Sequence, residues 1–343
     1  MEILKNVIKH CQSSRLFRKR LAYYDHQWFF TLYLPHYLGY DLARFHQEMF
    51  SLSQKKDNKL LVVQGFRGCG KSTILNLSLV IWSIIGKPKK KFILIISKNV
   101  AQAKLHLNNI YDELKNNELL NNDFYNLGLK RPNGSSVLVI EKYQAKIIAS
   151  QCFKSLRGIK NGANRPDLII CDDIDDEIMS EKPRSREKLK NWFNSEVIPL
   201  GSEKTKIVVL GSPVNFNCLI RELTQKIKDN TLIGEARLYP FFKNGKTIWP
   251  EKYNSEDKIS ELRNSVLNQE TWNSEYLLST SKGMTMSDLL DMLENDSKAI
   301  NETETSSTNE PKNEEVNTQE SQEALNKEVS DKIEEFLEKY GVK

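Results

Sequence analysis

Between residues 59 and 281 the chain alternates short, continuous apolar runs with longer stretches of helical spacing. KLLVVQ, KFILIIS, SVLVIEK, AKIIAS, DLIICDD, KIVVLGS and TLIGEARL read as strands, being short, aliphatic and bounded by charge or turn residues. Helical spacing runs over 72–85, 100–119, 185–197 and 219–228. Strands that are apolar throughout need both faces covered, so the pattern predicts an α/β fold with a mostly parallel sheet flanked by helices. Residues 1–57 are helical in pattern and rich in aromatics, as in HQWFFTLYLPHYLGYDLARFHQEMFSL. Beyond Met284 the pattern fails. Residues 302–323 are polar and acidic without an apolar period and are predicted to be disordered. Candidate helices over 287–293 and 324–340 flank them. In the second, Leu325, Val329, Ile333, Phe336 and Tyr340 make one apolar stripe, which either folds back on the body or docks on a partner. The chain thus reads as a helical segment (1–57), an α/β domain (58–283) and an acidic, flexible tail (284–343), with no internal repeat.

Charge sharpens this division. The last sixty residues hold six lysines and no arginine against sixteen acids, whereas the first 283 carry an excess of fifteen positive charges. A basic body suits a phosphate-rich partner, since neutralising phosphates releases condensed counterions. A lysine-, asparagine- and isoleucine-rich coding bias would give the same excess, so charge alone leaves the partner open. No apolar run approaches a membrane span, and the N-terminus has no apolar signal region. Cys11, Cys69, Cys152, Cys171 and Cys218 have neither zinc-knuckle spacing nor an even count, which points to a reducing cytoplasm.

The chemistry is concentrated in Gly65-Phe66-Arg67-Gly68-Cys69-Gly70-Lys71-Ser72, which matches G-x-x-x-x-G-K-[ST] at every fixed position. The glycines let backbone N–H groups wrap around phosphates, and the following helix, entered through Thr73, turns its positive end toward the same anion. Lys71 would reach the β- and γ-phosphates of ATP, and the Ser72 hydroxyl would ligate Mg²⁺. A chance glycine turn is the alternative, but a strand precedes this loop and an apolar helix follows it, as the chemistry requires. The run DLIICDD then ends in adjacent acids. Asp172 would hold Mg²⁺ through its water shell and Asp173 would orient or deprotonate the attacking water. Adjacency favours Asp173 over Asp175, Asp176 or Glu177; a strand simply ending in an Asp-rich turn is the competing reading. KIVVLGS places Ser212 at the sheet edge, either as a γ-phosphate sensor or as an ordinary turn residue.

Taken in order, GFRGCGKST, FILIISKNVAQAKLHLNNIYDELKNNELL, SLRGIKNGANRPDLIICDDIDD, REKLKNWFNSEVIPL and KIVVLGSPVN resemble the ATPase domain of phage terminase large subunits, the motors that pump DNA into procapsids. FFTLYLPHYL and RFHQEMF are similar to that family's entry segment, and IWPEKY and WNSEYL to its end, so the likeness spans about residues 28–278. It implies a P-loop NTPase of the ASCE/RecA-like type over 58–283, hydrolysing ATP with Mg²⁺ in the host cytoplasm. The implied partners are double-stranded DNA, further copies in a homo-oligomeric ring, a portal and a small terminase subunit. By the same resemblance Arg67 stabilises charge on the γ-phosphate, and Gln47, after Phe45, contacts adenine. Gly211-Ser212 links hydrolysis to movement, and Arg157 is a candidate finger for a neighbouring subunit's site. Read without the resemblance, Gln47 is plain helix surface and Arg157 a salt-bridge partner. Two departures stand out. Asp173 occupies a position where the family commonly has Glu. The roughly sixty residues after the domain lack a strand pattern and are too few for the family's RNase H-like nuclease, so the expectation is a motor without its own nuclease, which either a separate chain supplies or a truncated or repurposed motor has lost. A helicase-type DNA-remodelling ATPase, or a nucleotide-switched assembly factor, are the competing functions.

Overall fold

The computed structural model describes residues 7–279 apart from 8, 12, 157, 160, 163 and 176–179. The expected tail helices and disordered linker, and Arg157, Asp176 and Glu177, therefore lie outside the described residues. Lys19–Met284 groups as one unit, and Met1–Arg18 belongs to another.

Within Lys19–Met284 the apolar runs form one sheet. Its strands in chain order are β1 (Leu60–Gly65), β2 (Phe92–Ser97), β3 (Leu129–Lys130), β4 (Val137–Ile140), β5 (Ala145–Gln151), β6 (Leu168–Asp172), β7 (Lys206–Gly211) and β8 (Glu235–Tyr239). Their spatial order is β3-β4-β5-β2-β6-β7-β1-β8. Every pairing from β5 to β8 is parallel; β4 joins β5, and β3 joins β4, antiparallel. Period-two geometry then divides each buried strand between two cores. Leu61 and Val63, Ile93 and Ile95, Ile170, Val208 and Leu210 pack on one face. Leu60 and Val62, Leu94 and Ile96, Ile169 and Cys171, Ile207 and Val209 pack on the other. This is why those strands read as unbroken apolar runs. The first face is covered by helices His26–Tyr33 and Arg44–Gln54, the P-loop helix and Val100–Asn116; the second by Pro183–Trp192 and Leu219–Lys228.

Three boundaries depart from the sequence reading. The helix expected over 100–119 stops at Asn116, because Asn117 adopts an extended conformation and its side chain caps a new helix, Glu118–Phe124, by accepting from Leu120 N. The last strand begins at Glu235 rather than Thr231. The helix after the P-loop is π-helical over Thr73–Ser78 before α geometry resumes over Leu79–Ile85. Such widened turns are rare and frequently occur at functional sites. No helix among the described residues is long and apolar enough to cross a membrane. All five cysteines are buried, and none forms a disulfide.

Two polar contacts fix the aromatic N-terminal helices to the sheet. Lys206, at the start of β7, donates to the carbonyls of Leu52 and Ser53 at 2.8 Å and of Lys55 at 3.0 Å. An ammonium thereby closes the negative end of helix Arg44–Gln54. His26 is fully buried, stacked on Trp82, with Nδ1 2.7 Å from Ser53 Oγ and Nε2 2.9 Å from Ser78 Oγ. Ser53 spends its own proton on Phe50 O. Nδ1 must therefore donate to Ser53 and Nε2 accept from Ser78. Burial, reinforced by Lys206, lowers the His26 pKa from 6.5 to about 3. A depressed pKa costs stability only where the unfolded chain protonates and the folded chain does not. Stability is thus complete above pH 6.5 and falls as pH drops from 6.5 toward 3. One such group removes about 1.4 kcal/mol per pH unit, or roughly 2 kcal/mol by pH 5. Urea unfolding at pH 7.5 and pH 5 should show this loss, reduced in His26→Phe. An equal pH dependence in both proteins would mean that His26 is not its source.

Candidate nucleotide and magnesium site

The parallel strands bring three sequence segments to one end of the sheet, where open α/β sheets bind ligands. β1 runs into the P-loop, β6 ends at Asp172, and β7, lying between them, ends at Gly211. β1 is followed by the P-loop helix on one face and β7 by helix Leu219–Lys228 on the other, the arrangement at which open α/β sheets bind ligands.

The P-loop backbone has the conformation its glycines permit. Gly68 has φ +78° and Gly70 φ +82°, values costly for other residues, and a Cβ added at Gly68 would meet nothing within 4 Å. The loop thus opens toward space an anion can fill. It is braced on several sides. Phe66 N donates to Tyr239 O at 3.0 Å and Arg67 N to Glu275 O at 2.8 Å. From below, His46 Nε2 lies 3.0 Å from Cys69 O, while Ala43 N donates to His46 Nδ1 at 3.0 Å. With Nδ1 accepting, Nε2 carries the proton and donates to the P-loop carbonyl. Burial lowers the His46 pKa to about 4, which keeps this brace neutral. Cys69 is fully buried and its thiol is pushed up by burial, so it packs rather than reacts.

The expected metal-binding pair is in contact. Asp172 is fully buried, and Ser72 Oγ donates to its Oδ1 at 3.2 Å. Asn76, four residues along the helix and on the same side, donates through Nδ2 to Oδ2 at 2.9 Å. A hydroxyl and a carboxylate oxygen are hard donors of the kind Mg²⁺ takes, one or two from protein with the rest from phosphate and water. Among the described residues no larger cluster of His, Cys, Asp or Glu could hold a metal. The residues present therefore fit a magnesium–nucleotide complex.

Lys71 and Asp173 complete the centre. Burial works against the Lys71 ammonium, yet nearby groups including Asp173, Asp172 and Glu275 hold it above its ordinary value. Burial first, then Asp172, pushes the Asp173 carboxyl up to about 6. Asp173 sits in the left-handed region at φ +49°, with its N–H bonded to Leu210 O at 3.0 Å. Asp tolerates that region better than most residues, and the turn swings its carboxylate out of the strand direction. A Cβ on Gly211 would come within 3.3 Å of Asp173 Oδ1, so the glycine leaves the carboxylate its room. Asp175 is engaged elsewhere: its Oδ2 accepts Leu219 N at 2.8 Å at the start of helix Leu219–Lys228. Ser212 Oγ donates to Gly65 O at 3.2 Å, beside the loop. The Arg67 side chain is exposed at the mouth, and Thr73 opens the π-helical run. Gln47 is half-buried, one residue beyond His46.

His46, Asn76, His106 and Glu275 escaped the sequence reading. All lie in segments singled out for other reasons, but no spacing rule links His46, His106 or Glu275 to a distant loop, or Asn76 to an acid 96 positions along the chain.

No family model matches the chain. It is 32% identical over 205 residues to the large subunit of the Enterobacteria phage T3 terminase, covering 56% of this chain and 32% of that protein. The chain thus spans about a third of the length of that relative. Among solved structures, the ATPase domain of the Thermus phage P74-26 large terminase aligns with a TM-score of 0.48 at 13% identity, over 71% of this chain and 96% of that one. The HK97 bacteriophage large terminase aligns with a TM-score of 0.44 at 12% identity, over 75% and 47%. The motif series and the sequence likeness agree: this chain is similar to the large subunit of a phage terminase.

Proposed function

We propose that this chain hydrolyses ATP with Mg²⁺ and couples hydrolysis to the translocation of double-stranded DNA, as the motor subunit of a packaging machine. The observation that carries the reading is the convergence of Lys71, the Ser72–Asp172 pair and Asp173 at the P-loop. In it, Ser72 and Asp172 hold the metal, which neutralises phosphate charge. The P-loop N–H groups and Lys71 bind the β- and γ-phosphates, Asp173 orients the attacking water, and Arg67 faces the γ-phosphate from the exposed side. Gln47 and Ser212 are the adenine and γ-phosphate contacts that the resemblance supplies. The excess of positive charge over the first 283 residues suits a duplex. The likeness to the T3 terminase large subunit supports DNA packaging as the work done; a ring of copies, a portal and a small subunit are the partners that the motif resemblance implies.

Purified protein should show Mg²⁺-dependent ATPase activity that double-stranded DNA stimulates. Asp173→Asn should lower turnover about 10²–10⁴-fold, the usual contribution of a positioned general base, with ADP affinity kept within a few-fold. Turnover that ignores DNA would sink the motor reading and favour a nucleotide-switched factor. Wild-type turnover in Asp173→Asn would move the water-positioning role elsewhere.

A further inference from the structure

Asp172 has more polar neighbours than its visible hydrogen bonds account for. His106, on helix Val100–Asn116, places Nε2 3.6 Å from Asp172 Oδ2, beyond hydrogen-bond distance, and this buried nitrogen has no hydrogen-bond partner. Asn76 donates to the same Oδ2, yet its fully buried Oδ1 also lacks a partner. Ser97 follows Ile96, which pairs with Cys171 in the neighbouring strand, so Ser97 stands beside Asp172 on the same face of the sheet. Its buried Oγ is unpartnered too. Native interiors leave few polar atoms in this condition, and a cluster of them marks a place for ordered water or ligand-linked rearrangement.

We propose that His106, supported by Asn76, is a positioning residue for Asp172: it closes a hydrogen bond to Oδ2 as the magnesium–nucleotide complex binds, fixing the carboxylate toward the metal's water shell. The movement required is about half an ångström, from 3.6 Å to ordinary hydrogen-bond range. Ser72 already constrains Oδ1 and Asn76 one side of Oδ2; His106 supplies the remaining direction. Outer-layer partners of this kind typically change metal affinity or activity by about 10–100-fold when removed. The inference rests on reading Ser72 and Asp172 as the magnesium site.

The test is calorimetric titration of ADP into full-length wild type, His106→Ala and His106→Gln, each with and without Mg²⁺. In wild type, Mg²⁺ should tighten ADP binding. His106→Ala should keep its Mg²⁺-free affinity within about twofold and lose about tenfold of the Mg²⁺-dependent gain. His106→Gln, which restores a donor, should recover part of that gain and serves as the working variant if the alanine protein does not fold. An intact Mg²⁺ gain in both variants, or an equal loss with and without Mg²⁺, overturns the positioning role and leaves the magnesium site standing. A wild-type protein that binds ADP without any Mg²⁺ effect overturns both.

Discussion

Lys71→Ala should abolish the proposed ATP turnover, by about 10³-fold or more, while the folded chain survives. Burial works against the Lys71 ammonium, but Cys69 and then the Asp173, Asp172 and Glu275 carboxylates nearby hold its pKa above the ordinary value. In the proposed reaction its loss would leave nearby carboxylates unbalanced as phosphates bind, so nucleotide affinity should fall together with turnover. The fold has little at stake. Lys71 belongs to neither apolar core, and the bonds that brace the loop come from main-chain groups and His46. Circular dichroism and thermal unfolding should therefore resemble wild type, with the difference confined to nucleotide binding and phosphate release. Wild-type turnover in the variant would remove the P-loop from the chemistry altogether.

Arg67→Ala separates binding from chemistry in a way Lys71→Ala cannot. The Arg67 main chain is tied to Glu275 O at 2.8 Å, but its side chain is exposed at the mouth of the loop. In the proposed reaction a guanidinium there would meet charge developing on the γ-phosphate, and interactions realised chiefly in the transition state raise turnover rather than affinity. Arginines in that role contribute about 10³–10⁵-fold to the rate. Single-turnover hydrolysis should slow by that order, with ADP and ATP affinity within a few-fold of wild type. Arg67→Lys should recover little, because a point charge does not reproduce the planar fork that matches phosphate oxygens. Affinity lost with the rate retained would show Arg67 to be a ground-state contact only.

How much of this site was legible in the sequence depended on how local each feature is. The P-loop is eight consecutive residues whose geometry is dictated by glycines and by the flanking strand and helix. Asp172 and Asp173 end an apolar run, and period two alone says that neighbours in that run face opposite cores. What stayed hidden was pairwise and distant. Neither His46, twenty-three positions before Cys69, nor His106, in a helix that reads as ordinary surface and core, carries a local signal. Adjacency to Asp172 already favours Asp173 over Asp175 as the base, and the start of helix Leu219–Lys228 adds an independent reason by engaging Asp175.

The sequence by itself determined the class of sheet, the glycine-rich P-loop motif between a strand and a helix, and the pair of acids that ends a later apolar run. Strand burial, glycine conformation and helix polarity act over a few bonds and leave their mark on consecutive residues. Only the tertiary structure decided which strand lies between the P-loop and Asp172, that His46 and Glu275 both bond to the loop, and that unpartnered polar atoms lie near Asp172. Those outcomes depend on strand order and helix packing. Strand order is set by the summed burial of two cores over the whole sheet, and no single stretch of residues encodes it.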